Sequence, residues 1–175
     1  MRKLLLVIDM QNDFIDGALG TREAVAIVEN VKEKIRSYPA RDVVFTMDTH
    51  RENYLSTREG KYLPVEHCIR GSEGWRLRRD VAALVPNAKI YEKPTFGSIR
   101  LAVDLKTLSE QDELSLELVG LCTDICVVSN ALLLHAMLPE TDITVDAACC
   151  AGVTPESHAA ALQTLRSCQI NVING

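Results

Sequence analysis

The chain has no uninterrupted apolar stretch long enough for a membrane span or for the core of an export signal. Its first apolar run, "LLLVI" after Met1-Arg2-Lys3, is cut short by Asp9. No membrane partner is therefore expected, and the chain reads as unexported. A basic stripe is also missing. The formal net charge is −5, with 19 lysines and arginines scattered among 24 acidic residues. Nothing concentrates the positive charge that a nucleic-acid partner requires. Linkers, internal repeats and low-complexity tracts are absent too. With 175 residues, 47% of them hydrophobic, the sequence suits one complete core rather than two. A single domain over residues 1–175 is expected.

Six cysteines are present: Cys68, Cys122, Cys126, Cys149, Cys150 and Cys168. In a chain of this size without a secretion signal they point to a reducing, cytoplasmic setting, with most of them free thiols.

Apolar runs of strand length recur at Lys3 to Ile8, Asp42 to Met47, Ala88 to Glu92, Leu114 to Gly120, Asp142 to Asp146 and Ile170 to Asn174. Several are nearly continuous in apolar residues, as burial on both faces of a parallel sheet demands. Helical spacing fills the intervals: Glu23 to Tyr38, Gly74 to Val85, Ser98 to Leu108, Asp124 to Leu138 and Pro155 to Cys168, the last with Thr154 placed to cap. The alternation predicts one doubly wound α/β domain with six parallel strands in the order 3-2-1-4-5-6 and helices on both faces. One stretch conflicts with this: "ELSLEL" alternates polar and apolar residues, which suits a half-exposed strand better than a central one.

Ligands of such sheets gather at the carboxyl ends of the strands. There the sequence places Asp9, Asp48 with His50, Lys93, and Cys122 with Cys126. The two cysteines allow three readings: a metal clip, core thiols, or a nucleophile with its supporting turn. C-x-x-x-C is not a zinc-knuckle spacing, and no second pair follows. A cysteine at the start of a helix feels the positive end of the helix dipole, which favours the thiolate. A lysine adds to that effect, and a carboxylate can carry the proton. Asp48 and His50 lie two apart, so in extended backbone they face one side, and His67 follows. Two imidazoles and a carboxylate suit Zn²⁺, or Mn²⁺ or Fe²⁺. Glu59 reads equally as a further ligand or as a solvated carboxylate. Cys149 and Cys150 read as small core residues rather than a redox switch.

"VIDMQNDF", "DTH", "HCIRGSEGW", "KPTFGS" and "GLCTDICV" occur in this order across nearly the whole chain. In them the sequence resembles the isochorismatase-like cysteine hydrolases, and among these the nicotinamidases. The resemblance implies Asp9 as base, Lys93 as its partner and Cys126 as nucleophile. It implies a cis peptide between Leu121 and Cys122, with the backbone N–H groups of Cys122 and Cys126 as an oxyanion hole. It further implies a metal on Asp48, His50 and His67 that receives the pyridine nitrogen of nicotinamide. The implied chemistry is hydrolysis of a small primary carboxamide, giving nicotinate and ammonia through a cysteine thioester. Phe14, Tyr62, Leu63 and Phe96 are the candidates to wall the substrate; nicotinamidases often carry a tryptophan where this chain has Tyr62 and Leu63. Similar proteins form dimers or tetramers, so a homo-oligomer is expected. The alternatives are a metal-independent amidase or carbamoylase, and a non-catalytic domain that senses oxidants through Cys122 and Cys126.

Overall fold

A computed structural model describes all residues 1–175. Six strands form one sheet: β1 (Arg2–Ile8), β2 (Val43–Asp48), β3 (Lys89–Lys93), β4 (Leu114–Leu121), β5 (Asp142–Ala151) and β6 (Asn171–Ile173). All pairings are parallel, in the order β3-β2-β1-β4-β5-β6, as the alternation of segments predicts. The helices are α1 (Asn12–Ile15), α2 (Arg22–Ala26), α3 (Val28–Arg36), α4 (Arg58–Tyr62), α5 (Arg79–Ala82), α6 (Ile99–Ser109), α7 (Val128–Met137) and α8 (Pro155–Ser167). None is long and apolar enough to cross a membrane.

β1 explains why the strands read as apolar throughout. Leu4, Leu6 and Ile8 join a core with α6, α7 and α8, while Leu5 and Val7 join a second core with α1, α2, α3 and α5. Each strand face is buried by its own helical layer, so alternation is lost where both layers are present. The polar alternation in β4 has a specific cause. Glu117 sits on the strand's helix-covered face, where Lys34 lies 2.6 Å from its Oε1 and the Tyr38 hydroxyl donates to Oε2 at 2.5 Å. Lys34 also reaches Asp146 at 2.8 Å. The strand is central, and its glutamate is ion-paired rather than solvated.

Three helical expectations are revised. Residues Glu23 to Tyr38 form two helices, broken at Ile27. Gly74 to Val85 keeps only α5. Upstream of it, the carbonyls of Gly74 and Arg76 accept from Asp13 and Asn12, and Arg78 N–H donates to Met10, so that backbone is already engaged with the loop after β1. Asp124 to Leu138 begins as a π-helical turn, Thr123–Val127, before α7. The helix expected at Pro155 forms, with Thr154 and Ser157 capping it reciprocally. β5 runs further than expected and contains Cys149 and Cys150, whose side chains enter opposite cores. All six cysteines are free.

Candidate active site and metal cluster

The carboxyl edge of the sheet brings Asp9, Lys93 and Cys126 together. Asp9 follows β1 in a left-handed conformation, φ 47°, that turns its carboxylate inward. The Thr46 hydroxyl donates to Asp9 Oδ1 at 2.6 Å, and the other carboxylate oxygen faces Lys93 Nζ at 2.7 Å. Lys93 ends β3 in register with Asp48 and is only 1% exposed. A buried ammonium needs anionic neighbours. Besides Asp9, its Nζ has Cys126 Sγ at 3.3 Å and Asp48 Oδ1 at 3.5 Å.

Cys126 lies in the π-helical turn between β4 and α7. The peptide between Leu121 and Cys122 is cis, and the Cys122 carbonyl accepts from the N–H groups of Ile125 and Val127. Just before the turn, Gly120 has φ +117°, and a Cβ there would stand 2.1 Å from the Ile8 carbonyl oxygen. Only glycine lets β4 approach β1 this closely. Asn130, one turn into α7, donates to the Cys126 carbonyl at 2.7 Å and to the Phe96 carbonyl at 3.1 Å. Its Oδ1 accepts from Ser98 N–H at 2.9 Å. The turn carrying the sulfur and the loop after β3 are thus tied to one amide.

Burial, together with the Asp9 carboxylate, pushes the Cys126 thiol well above its ordinary pKa, although Lys93 acts against them. The Asp9 carboxyl is also raised, by burial and by Asp48, with Lys93 opposing. Burial pulls the Lys93 ammonium down, but the carboxylates around it, Asp9 first, raise it overall. Burial of the sulfur thus opposes the thiolate that a helix start favours, and Cys126 sits in the turn ahead of α7 rather than in its first turn. Burial likewise pushes the Cys122 thiol up, to about 12.

Beside this triangle stands a second cluster. Ligand atoms of Asp48, His50, Glu59 and His67 all lie within 4.8 Å of one another. The individual separations are 2.9 Å from Asp48 Oδ2 to His50 Nε2 and 3.6 Å to His67 Nε2, and 3.6 and 3.8 Å from Glu59 Oε1 to the same two nitrogens. Donors about 2.1 Å from a tetrahedral ion stand roughly 3.4 Å apart, so this spacing fits a divalent cation. His50 Nε2 is buried without a hydrogen-bond partner despite its carboxylate neighbours, as expected of a lone pair aimed at a shared centre. His67 Nδ1 lies 2.9 Å from the Val65 carbonyl. A carbonyl only accepts, so Nδ1 carries the proton and leaves Nε2 free to ligate. The donor set suits Zn²⁺, Mn²⁺ or Fe²⁺. Glu59, left open by the sequence, stands within the cluster.

Several supporting residues escape a motif reading. Fully buried Gln11 spans the two strand ends, with hydrogen bonds to both sides of the Asp48 peptide and to the Trp75 carbonyl. Buried Tyr54 packs its ring 4.6 Å from His50 and 4.9 Å from His67 and donates its hydroxyl to the Leu63 carbonyl. Gln11 acts on main chain distant in sequence, and the available signal for it was a polar side chain directly beyond a buried strand. Tyr54 acts on residues 4 to 13 positions away, with no such signal.

A cavity of about 720 Å³ opens beside His50 and Glu59, walled in part by Tyr62 and Phe96. Phe14 lies deeper, its ring 5.6 Å from that of His67. Leu63, like Phe14, is not among the residues lining this cavity; its carbonyl accepts from the Tyr54 hydroxyl.

The parallel sheet and the thiol, ammonium and carboxylate buried at its edge define a hydrolase with a doubly wound α/β domain. Residues 3–175 match the model of the isochorismatase domain. The isochorismatase family protein PncA of Bacillus subtilis strain 168 is 34% identical over 146 residues, covering 75% of this chain and 78% of the relative. The crystal structure of nicotinamidase/pyrazinamidase PncA from Bacillus subtilis superposes with a TM-score of 0.83 at 28% identity, covering 98% of this chain and 99% of the other. A pyrazinamidase of Pyrococcus horikoshii, solved in complex with zinc, gives 0.78 at 26% identity over 100% of both chains. The chain belongs to the isochorismatase domain family.

Proposed function

We propose that the protein hydrolyses a small primary carboxamide of the nicotinamide kind to the acid and ammonia. The observation that carries this reading is the contact of Lys93 with three groups: the Asp9 carboxylate, the Cys126 sulfur and the Asp48 carboxylate of the neighbouring cluster. Nucleophile, base and a place to anchor an aromatic ring then share one edge. The similarity to nicotinamidases and pyrazinamidases supports the substrate class.

As the sulfur attacks the carboxamide carbon, Asp9 takes the Cys126 proton. Lys93 stays charged and favours the developing sulfur anion. The N–H groups of Cys122 and Cys126 receive the oxyanion. Collapse breaks the C–N bond, and Asp9 returns its proton to the departing nitrogen, which leaves as ammonia. Water then gives a proton to Asp9 and attacks the thioester; the C–S bond breaks and the sulfur regains the proton.

Asp48, His50, Glu59 and His67 would hold the divalent ion, zinc being the first choice. When bound, the ion supplies a Lewis acid for the ring nitrogen of the substrate. Phe14, Tyr62 and Phe96 face the ring.

Ammonia release from nicotinamide and pyrazinamide, with and without chelator, tests this. Turnover that disappears in Cys126→Ala while the fold persists supports it. Turnover that survives the substitution rules out the thioester, and oxidation of Cys122 and Cys126 without any amide turnover would favour a sensor.

A further inference from the structure

Resting on the amide-hydrolase reading, we propose that Arg51 and Arg58 select a substrate carrying an anionic group, carboxylate or phosphate-like, in addition to its carboxamide. The cavity outside the metal cluster has about 720 Å³, and its wall is mostly apolar by area, with Arg51, Arg58 and Glu59 among the residues that line it. A bare single-ring amide would leave most of that space to water, whereas binding sites in general bury most of their ligand.

Apart from the cluster residues His50 and Glu59, the charged side chains lining this space are arginines. Arg51 and Arg58 both line it, and neither is held in an ion pair with a carboxylate of the chain. The cavity's one carboxylate, Glu59, is held against His50 and His67 by the cluster. Helix α4 divides the labour. It directs Glu59 to the cluster, while Arg58 lies over the Tyr62 ring, 5.6 Å from its centroid, one turn along on the cavity wall. Stacking orients the guanidinium and leaves its N–H edge for a partner. Asn53, also on the wall, adds a further hydrogen-bonding side chain. Two guanidinium groups on the wall of one cavity fit an anion with several oxygens.

Binding tests this without relying on turnover. The zinc-loaded protein is titrated calorimetrically with a nicotinamide bearing a ring carboxylate meta to the amide, with the methyl ester of the same compound, and with the matching phosphonate. The carboxylate or the phosphonate should bind at least about tenfold more tightly than the ester, and whichever binds more tightly identifies the anion. That preference should collapse in Arg51→Gln/Arg58→Gln and persist in Arg100→Gln, a charge change on α6, away from the cavity. Circular dichroism would check that the variants are folded. An ester that binds as well as both anions, or a preference that survives the double substitution, overturns the proposal. Nicotinamide hydrolysis by the same preparation reports separately on the amidase reading.

Discussion

Gln11 brackets Asp48: its Oε1 accepts the Asp48 N–H at 2.7 Å, and its Nε2 donates to the Asp48 carbonyl at 2.8 Å. One side chain from the loop after β1 thereby fixes the peptide units on both sides of a residue that serves the ammonium and the histidine cluster at once.

Gln11→Ala should loosen that carboxylate. Buried donors and acceptors left without partners cost about 1–3 kcal/mol, and loss of an orienting group around a metal ligand weakens binding by about tenfold or more. Zinc competition against a chelating dye, alongside urea unfolding, would read both effects. Unchanged zinc affinity would argue that Asp48 is held by other groups.

Glu59→Ala removes one of four converging donors. Zinc affinity should fall by at least about tenfold while unfolding stability changes little, because the carboxylate sits at the cavity wall rather than in either core. Equal affinity in variant and parent would return Glu59 to the status of a solvated carboxylate.

Lys34 holds Glu117 and Asp146 on the covered face of the sheet. Lys34→Met should destabilise the fold by about 2 kcal/mol, less than for a fully buried pair because the lysine still meets solvent. Burial raises the Asp146 carboxyl, but its hydrogen bonds from Lys34 and Asn174 hold it below the ordinary carboxylate value. A carboxyl with a depressed folded pKa stabilises at neutral pH, and that contribution fades as the pH falls from about 4 through the folded value. The stability gap between parent and variant should therefore narrow on acidification. Chemical denaturation at a series of pH values measures it.

Gly120→Ala tests the approach of β4 to β1. Its Cβ would meet the Ile8 carbonyl oxygen, and its φ is one that L side chains rarely adopt. A loss of about 3 kcal/mol or more is expected in equilibrium unfolding, together with reduced turnover because the turn carrying Cys122 and Cys126 starts there. Parental stability in this variant would mean that the strand separates at little cost.

The sheet order and the triangle of Asp9, Lys93 and Cys126 were legible because strand ends in a doubly wound fold converge, whatever the helices between them do. Glu59 was not decidable: its role depends on α4 turning it towards His50, and spacing does not encode that. Gln11 was missed because it works through main chain far along the sequence, and Tyr54 and Asn130 because they act by supporting rings and carbonyls, a role that carries no motif. The segment Gly74 to Leu77 carries helical spacing, yet its carbonyls are claimed by the loop after β1. The pull of burial on the Cys126 thiol was not legible for a related reason: the dipole of one helix is local, whereas desolvation is imposed by the whole surrounding core.

β1 sends alternate side chains into the two helical layers. Neither layer can therefore melt while the other stays intact, since the strand they share would have to remain ordered with one side stripped. Heating should show a single cooperative loss of structure, and the chemistry at the strand's end should vanish at the temperature where the scaffold itself gives way.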